Sequence, residues 1–187
     1  MKEKNKIGIF PGSFDPFHIG HLAVATAAYN NGLDKIIVLP AWQNPWKEKS
    51  TDYWARLMMC ELMTEGYDFI EVSNLEGLMR NEFTYQALQR IKESRYLNDD
   101  LFIIGGTDAA ETVSKWREGD WILQNFSLIN INRPGYYQYE NSDGPGIDIS
   151  STKIRQMIKD GKAPFPYINH LTYEFIKDNK LYTENYD

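Results

Sequence analysis

His18 and His21 stand three positions apart just after a glycine-bearing turn, in the stretch GIFPGSFDPFHIGHL that runs from Gly8 to Leu22. They are two of only 3 histidines in 187 residues. Two imidazoles at this spacing share one helical face and can bond the same phosphate group. A helix N-terminus preceded by a tight turn also attracts anions through its backbone N–H groups. A metal site is the competing chemistry, but helical zinc pairs favour a four-residue spacing and need a third ligand. The remaining histidine, His170, lies far away in a C-terminal segment. A purely structural role as caps or turn residues stays open on local pattern. The turn is neither a GxGxxG dinucleotide loop nor a Walker A loop, since no Gly-Lys-Ser/Thr follows. A second candidate anion site is ISSTKIR at 149–155, where Ser150, Ser151 and Thr152 open a helical pattern and Arg155 follows one turn later. A guanidinium fork suits phosphate oxygens. Taken alone, the same segment reads more readily as an N-cap serine on an amphipathic helix. Asp108 in GGTD is a ligand contact or a helix cap, and Trp116 is a stacking platform or a packing residue.

Apolar β-branched runs predict strands at 6–10, 35–40, 68–73, 101–106 and 126–132. Helical spacing and end signals predict helices at 19–31, 52–66, 84–96, 108–116, 150–161 and 168–182, with Gly32 and Gly66 as stops. Strands alternating with helices of this length imply a parallel sheet with right-handed crossovers. The expected fold is α/β: a Rossmann-like doubly wound parallel sheet with helices on both faces and a helical C-terminal part. Ligands in such sheets bind beyond the carboxyl ends of the strands. That places Gly12, Ser13, Phe14 and Asp15 at the binding edge, with His18 and His21 at the start of the next helix.

The length suggests a single domain over 1–187 with room for a sizeable core. A net charge of -6 argues against a nonspecific nucleic-acid binder but not against a nucleotide enzyme, whose phosphate contacts are local. Cys60 is the lone cysteine, which excludes an intrachain disulfide and a Cys-rich zinc site, and its apolar setting, RLMMCELM, predicts a buried helix residue. No apolar run approaches the roughly 20 residues of a membrane span. The charged N-terminus leads into no signal-peptide core, so a cytoplasmic protein without membrane or nucleic-acid partners is expected. Self-association is left open.

GSFDPFHIGH resembles the first signature of the nucleotidylyltransferase superfamily, and ISSTKIR resembles the second, in the expected order and separation. Within that superfamily the chain is most similar to bacterial nicotinate-mononucleotide adenylyltransferases. The likeness extends through GLDKIIVLP, TYQAL, LFIIGGTD, KW, NRPGY and IKDNKLY. It implies adenylyl transfer from ATP to nicotinate mononucleotide, giving deamido-NAD and pyrophosphate. His18, His21 and Arg155 would be the catalytic set. Gly12, Ser13, Phe14, Ser150, Ser151 and Thr152 would complete the ATP side. Asp15, Lys47, Thr84, Gly106, Asp108, Trp116 and Arg133 would form the mononucleotide side, with Trp116 on the pyridine ring and Thr84 near its carboxylate. Mg²⁺ would arrive with ATP and needs no assigned protein ligand. The chain departs from the family at NPWK (44–47), where Trp46 replaces a usual histidine. Alternatives are an adenylyltransferase preferring the amide mononucleotide or phosphopantetheine, or a non-catalytic nucleotide-binding protein of the same fold. Residues 136–148 have no assigned role.

Overall fold

The computed structural model describes residues 4–43, 50–80, 83–106, 109–131 and 149–183, and of Ala109 and Ala110 the backbone only. The chain order is β1 (Lys6–Gly12), α1 (Ile19–Asn30), β2 (Lys35–Pro40), α2 (Tyr53–Thr64), β3 (Ile70–Val72), α3 (Leu75–Met79) and α4 (Thr84–Glu93). β4 (Asp100–Gly105), α5 (Ala109–Ser114), α6 (Gly119–Asn125), β5 (Ser127–Asn130), α7 (Ser151–Lys159) and α8 (His170–Asp178) follow. The five strands form one parallel sheet in the order β3-β2-β1-β4-β5. The doubly wound expectation is met. The chain builds outward from β1 in one direction, then returns to place β4 on its other side.

The strands read as continuous apolar runs because both sheet faces are covered. Successive residues point to opposite sides. Phe10, Ile36, Val38 and Ile104 pack with Val24 and Ala28 of α1, Met59 and Cys60 of α2, Ile154 of α7 and Ile176 of α8. Ile7, Ile9, Ile37, Leu39 and Ile103 face the other way, onto Leu88 and Ile91 of α4 and Ile122 of α6. Cys60 is fully buried, as expected, and burial pushes its thiol pKa up.

The register creates the binding crevice. β1 pairs with β2 through to Gly12↔Pro40, but with β4 only from Lys6↔Asp100 to Ile9↔Ile103. Beyond Ile9 the two central strands part, at the point where the winding direction reverses.

Several boundaries differ from the sequence reading. α3 and α6, of 5 and 7 residues, are too short to show a helical period and were not predicted. β3 is shortened to Ile70–Val72 by a turn in which the Ile70 N–H donates to the Tyr67 carbonyl. α4 ends at Glu93, where the Ser94 hydroxyl and N–H both turn back to the Ile91 carbonyl. α7 stops at Lys159 and α8 at Asp178, each followed by a left-handed residue (Gly161 at φ 69°, Lys180 at φ 51°).

α7 is anchored through one fully buried side chain, Ile154. Ile154→Ala should therefore cost about 2–5 kcal/mol of stability. A urea midpoint lower at unchanged m-value is the expected reading.

Candidate active site

The turn after β1 is built around Phe14, whose backbone adopts the left-handed region at φ 47° although it is not glycine. A bulky residue holds that conformation only when its surroundings impose it. Here the ring is buried between Phe10, Phe17 and His21, with centroid separations of 5.3, 5.2 and 5.0 Å. Gly12 lies over the same ring, and a Cβ there would come within 2.7 Å of it. Phe14 thus shapes the turn from beneath.

His18 is the N-cap of α1 rather than its first helical residue. Its Nδ1 accepts the Gly20 N–H at 3.1 Å, and the Nδ1 of His21 accepts the His18 N–H at 3.2 Å. The two histidines form a capping box. An Nδ1 that accepts carries no proton, so each neutral ring bears its proton at Nε2. The rings stack 3.8 Å apart and are almost fully buried.

The second motif meets the first. Ser151 donates its hydroxyl to the Pro16 carbonyl at 2.9 Å across 135 residues of sequence. Arg155 donates Nη1 to the Asp15 carbonyl at 2.8 Å, and Nη2 to the Thr152 hydroxyl at 3.3 Å. The Ser150 hydroxyl caps α7 by accepting the Lys153 N–H. Two of the hydroxyls read as phosphate contacts are thus engaged in joining and capping the two loops.

Asp15 is placed differently from the sequence reading. Its carboxylate is buried, with Oδ1 accepting the Tyr182 hydroxyl at 2.7 Å and Oδ2 the Thr51 N–H at 3.2 Å. It faces the interior and is not part of the lining of the cavity beside the turn. Burial, with the Asp15 charge beside it, pushes the Tyr182 pKa well above the usual phenol range.

A cavity of about 820 Å³ opens beside the turn. Its walls are Gly12 and Ser13 after β1, Ala41 and Gln43 after β2, Phe83 and Thr84 at the start of α4, and Ser114–Asp120 around the α5–α6 corner. Thr84 and Trp116 are brought together there with the glycine turn. Gly106 follows β4 and lies outside the cavity lining, as do His18, His21 and α7. Lys47, Asp108 and Arg133, together with Trp46, lie outside the described residues. Among the described residues no group of three or more His, Cys, Asp or Glu could hold a metal ion, and no helix is long and apolar enough to cross a membrane.

The cytidylyltransferase-like family model matches residues 9–157. A nicotinate-nucleotide adenylyltransferase from Bacillus subtilis is 34% identical over 188 residues, covering 95% of this chain and 98% of that one. A relative from Flavobacterium johnsoniae is 35% identical, with 95% and 98% covered. The chain belongs to the nicotinate-nucleotide adenylyltransferase family. Its fold is also that of the Plasmodium falciparum nicotinic acid mononucleotide adenylyltransferase solved with NaAD, at a TM-score of 0.73 and 22% identity, covering 98% of this chain and 100% of that one.

For a member of this family, the sequence reading missed two buried charges beside the site. Arg56 of α2 is 1% exposed and, among the described residues, donates to backbone carbonyls alone: Thr51 (2.9 Å), Ser13 (2.6 Å), Ala41 (2.8 Å) and Trp42 (3.0 Å). Glu76 of α3 is equally buried and accepts the Trp42 N–H at 2.7 Å. The available signal was a lone arginine on the helical face shared by Tyr53 and Cys60, a position that helical spacing marks as buried. Glu76 carried no such signal, because α3 is too short to have a readable face.

Burial pushes the Glu76 pKa up to about 7 from 4.5, against the lowering effects of the Trp42 N–H, the Thr84 hydroxyl and Arg56. A carboxyl raised on folding contributes stability below its unfolded pKa and loses it as pH climbs through the folded value. Wild-type stability relative to Glu76→Gln should fall by about 3 kcal/mol from pH 4.5 to above pH 7. Denaturant melts of both proteins at several pH values check this, and parallel pH curves would contradict it.

Proposed function

We propose that this protein transfers the adenylyl group of ATP to nicotinate mononucleotide, forming deamido-NAD and releasing pyrophosphate. The observation that carries this reading is the junction of the two anion-binding segments. Ser151 and Arg155 are bonded to the Pro16 and Asp15 carbonyls, next to the paired histidines. Gly12 and Ser13 of the same turn line a cavity with an aromatic wall. A triphosphate on one side and a flat-ringed mononucleotide on the other would meet at that turn. The names of the relatives support the same substrates.

The mononucleotide's 5′-phosphate is ionised near neutral pH, so its oxygen needs no general base. It attacks the α-phosphorus in line, forming the new P–O bond. The bond from that phosphorus to the bridging oxygen breaks, and pyrophosphate leaves with the electron pair. Such a reaction asks for alignment and charge neutralisation. His18 and His21 would donate from Nε2 to phosphate oxygens, with His21 stabilising the charge that grows in the transition state. Arg155 and the start of α7 would hold the β- and γ-phosphates. Mg²⁺ would come with ATP as part of the substrate, held by its phosphates. ATP supply also favours a cytoplasmic setting.

For the mononucleotide, Trp116 would stack on the pyridine ring and Thr84 would face its substituent. Thr84 opens the 10-residue helix α4, whose N-cap Phe83 supplies no side-chain acceptor. The positive end of a helix favours an anionic carboxylate over an amide. Lys47, Asp108 and Arg133 belong to the same side of the proposed site by resemblance.

Pyrophosphate release coupled to a colour reaction tests the activity. Turnover is expected with ATP and nicotinate mononucleotide, at a kcat/KM above that for the amide; a preference for the amide would overturn the substrate assignment, and no pyrophosphate with either would overturn the reaction. His21→Gln isolates the histidine's chemistry, because glutamine is a standard partner at this position of a capping box. It should keep the fold and ATP affinity while kcat falls about 100-fold or more. A near-normal kcat would remove His21 from the transition state.

A further inference from the structure

Glu76 plays no part in the chemistry above, yet it is a buried carboxyl set directly behind the cavity wall. Its Oε2 accepts the Trp42 N–H, and Oε1 is buried with no hydrogen-bond partner among the described residues. The Thr84 hydroxyl lies near enough to the same carboxyl to lower its pKa, without a hydrogen bond to it in this geometry. On the other side of Trp42, Arg56 donates Nη2 to the Ala41 and Trp42 carbonyls. The Trp42 residue is therefore gripped at its N–H by α3 and at its carbonyl by α2. Ala41 and Thr84, the two residues beside this arrangement, both line the cavity. The tyrosine ring of Tyr53 closes the arrangement against Gly77, where a Cβ would come within 2.1 Å of the ring.

We propose that Glu76 is a specificity-determining positioning residue for the mononucleotide, bracing the loop after β2 and placing a titratable carboxyl behind the cavity wall beside Thr84. This rests on the assignment of the cavity to a pyridine mononucleotide. Ionised Glu76 sets a negative charge behind the wall, beside Thr84, and protonation removes it. That charge disfavours an acid ligand and leaves an amide ligand nearly indifferent. The groups facing this carboxyl from α2 are the Arg56 guanidinium and the Tyr53 phenol. Burial holds the Tyr53 phenol protonated, with its pKa raised to about 12, so it does not titrate in the same range. With the Glu76 pKa at about 7, both of its forms are populated near neutral pH.

Calorimetric binding of ATP, nicotinate mononucleotide and nicotinamide mononucleotide to the full chain, at several pH values around neutrality, tests this. Glu76→Gln mimics the neutral carboxyl, and Glu76→Ala removes the brace. Glu76→Ala should weaken mononucleotide binding about tenfold or more while ATP binding stays within about threefold. Glu76→Gln should restore most of that affinity. The ratio of wild-type to Glu76→Gln Kd should rise with pH for the acid and stay flat for the amide. The ratio cancels the ligand phosphate's own titration near pH ~6. A ratio flat for both ligands, no rescue by glutamine, or equal loss of ATP binding would overturn the inference alone. A wild type that binds ATP but neither mononucleotide would overturn the functional reading and this inference with it.

Discussion

A guanidinium shut away from water has to find hydrogen bonds for its N–H groups within the protein or forfeit several kcal/mol. Arg56 finds them on four carbonyls drawn from three separate segments: the turn after β1, the loop after β2 and the approach to α2. Carbonyl dipoles, not a carboxylate, satisfy it. That choice makes Arg56 specific for backbone position, since each carbonyl must point inward for the charge to be tolerated. The carboxyl ends of the two strands that bound the site, β1 and β2, are consequently held in one arrangement before any ligand arrives. Such prior organisation is what a reaction driven by alignment requires.

The same frame continues to the phosphate side through one residue. Thr51 offers its carbonyl to Arg56 and its N–H to Asp15. Asp15 passes the connection on, its carboxylate to Tyr182 near the C-terminus and its carbonyl to Arg155 of α7. The inward turn of Asp15 is thereby explained. The side chain is needed to bind the C-terminal segment to the first turn, and the main chain to position the second motif. The meeting point of the two motifs and the cavity wall after β2 hang on one connected set of hydrogen bonds, and Glu76 adds the Trp42 N–H to it.

The parts of this arrangement that were legible in sequence are those whose signal is local. Apolar β-branched runs marked the five strands, and two short motifs marked the phosphate side, because in each case neighbouring residues act together. α3 and α6 were illegible because 5 and 7 residues cannot display a helical period. The Arg56 network was illegible for a different reason: its partners are backbone carbonyls, which every sequence possesses at every position. The inward setting of Asp15 was not legible because a polar residue in a turn looks the same whether its side chain faces out or in. Only the burial of Tyr182, 167 residues away, separates the two.

The three-residue spacing of the histidines answers two demands at once. A capping box needs an acceptor at the N-cap and another three positions on, and here both acceptors are Nδ1 atoms. Phosphate binding from one helical face asks for the same spacing. The two roles use opposite edges of the ring, so they do not compete. Committing Nδ1 to the backbone fixes the tautomer, and the tautomer puts the donor at Nε2. The aromatic packing from Phe14 and Phe17 then holds the His21 ring plane. Under the proposed function the structural and chemical readings of His18 and His21 become one: the cap would be the device that turns two imidazoles into oriented donors.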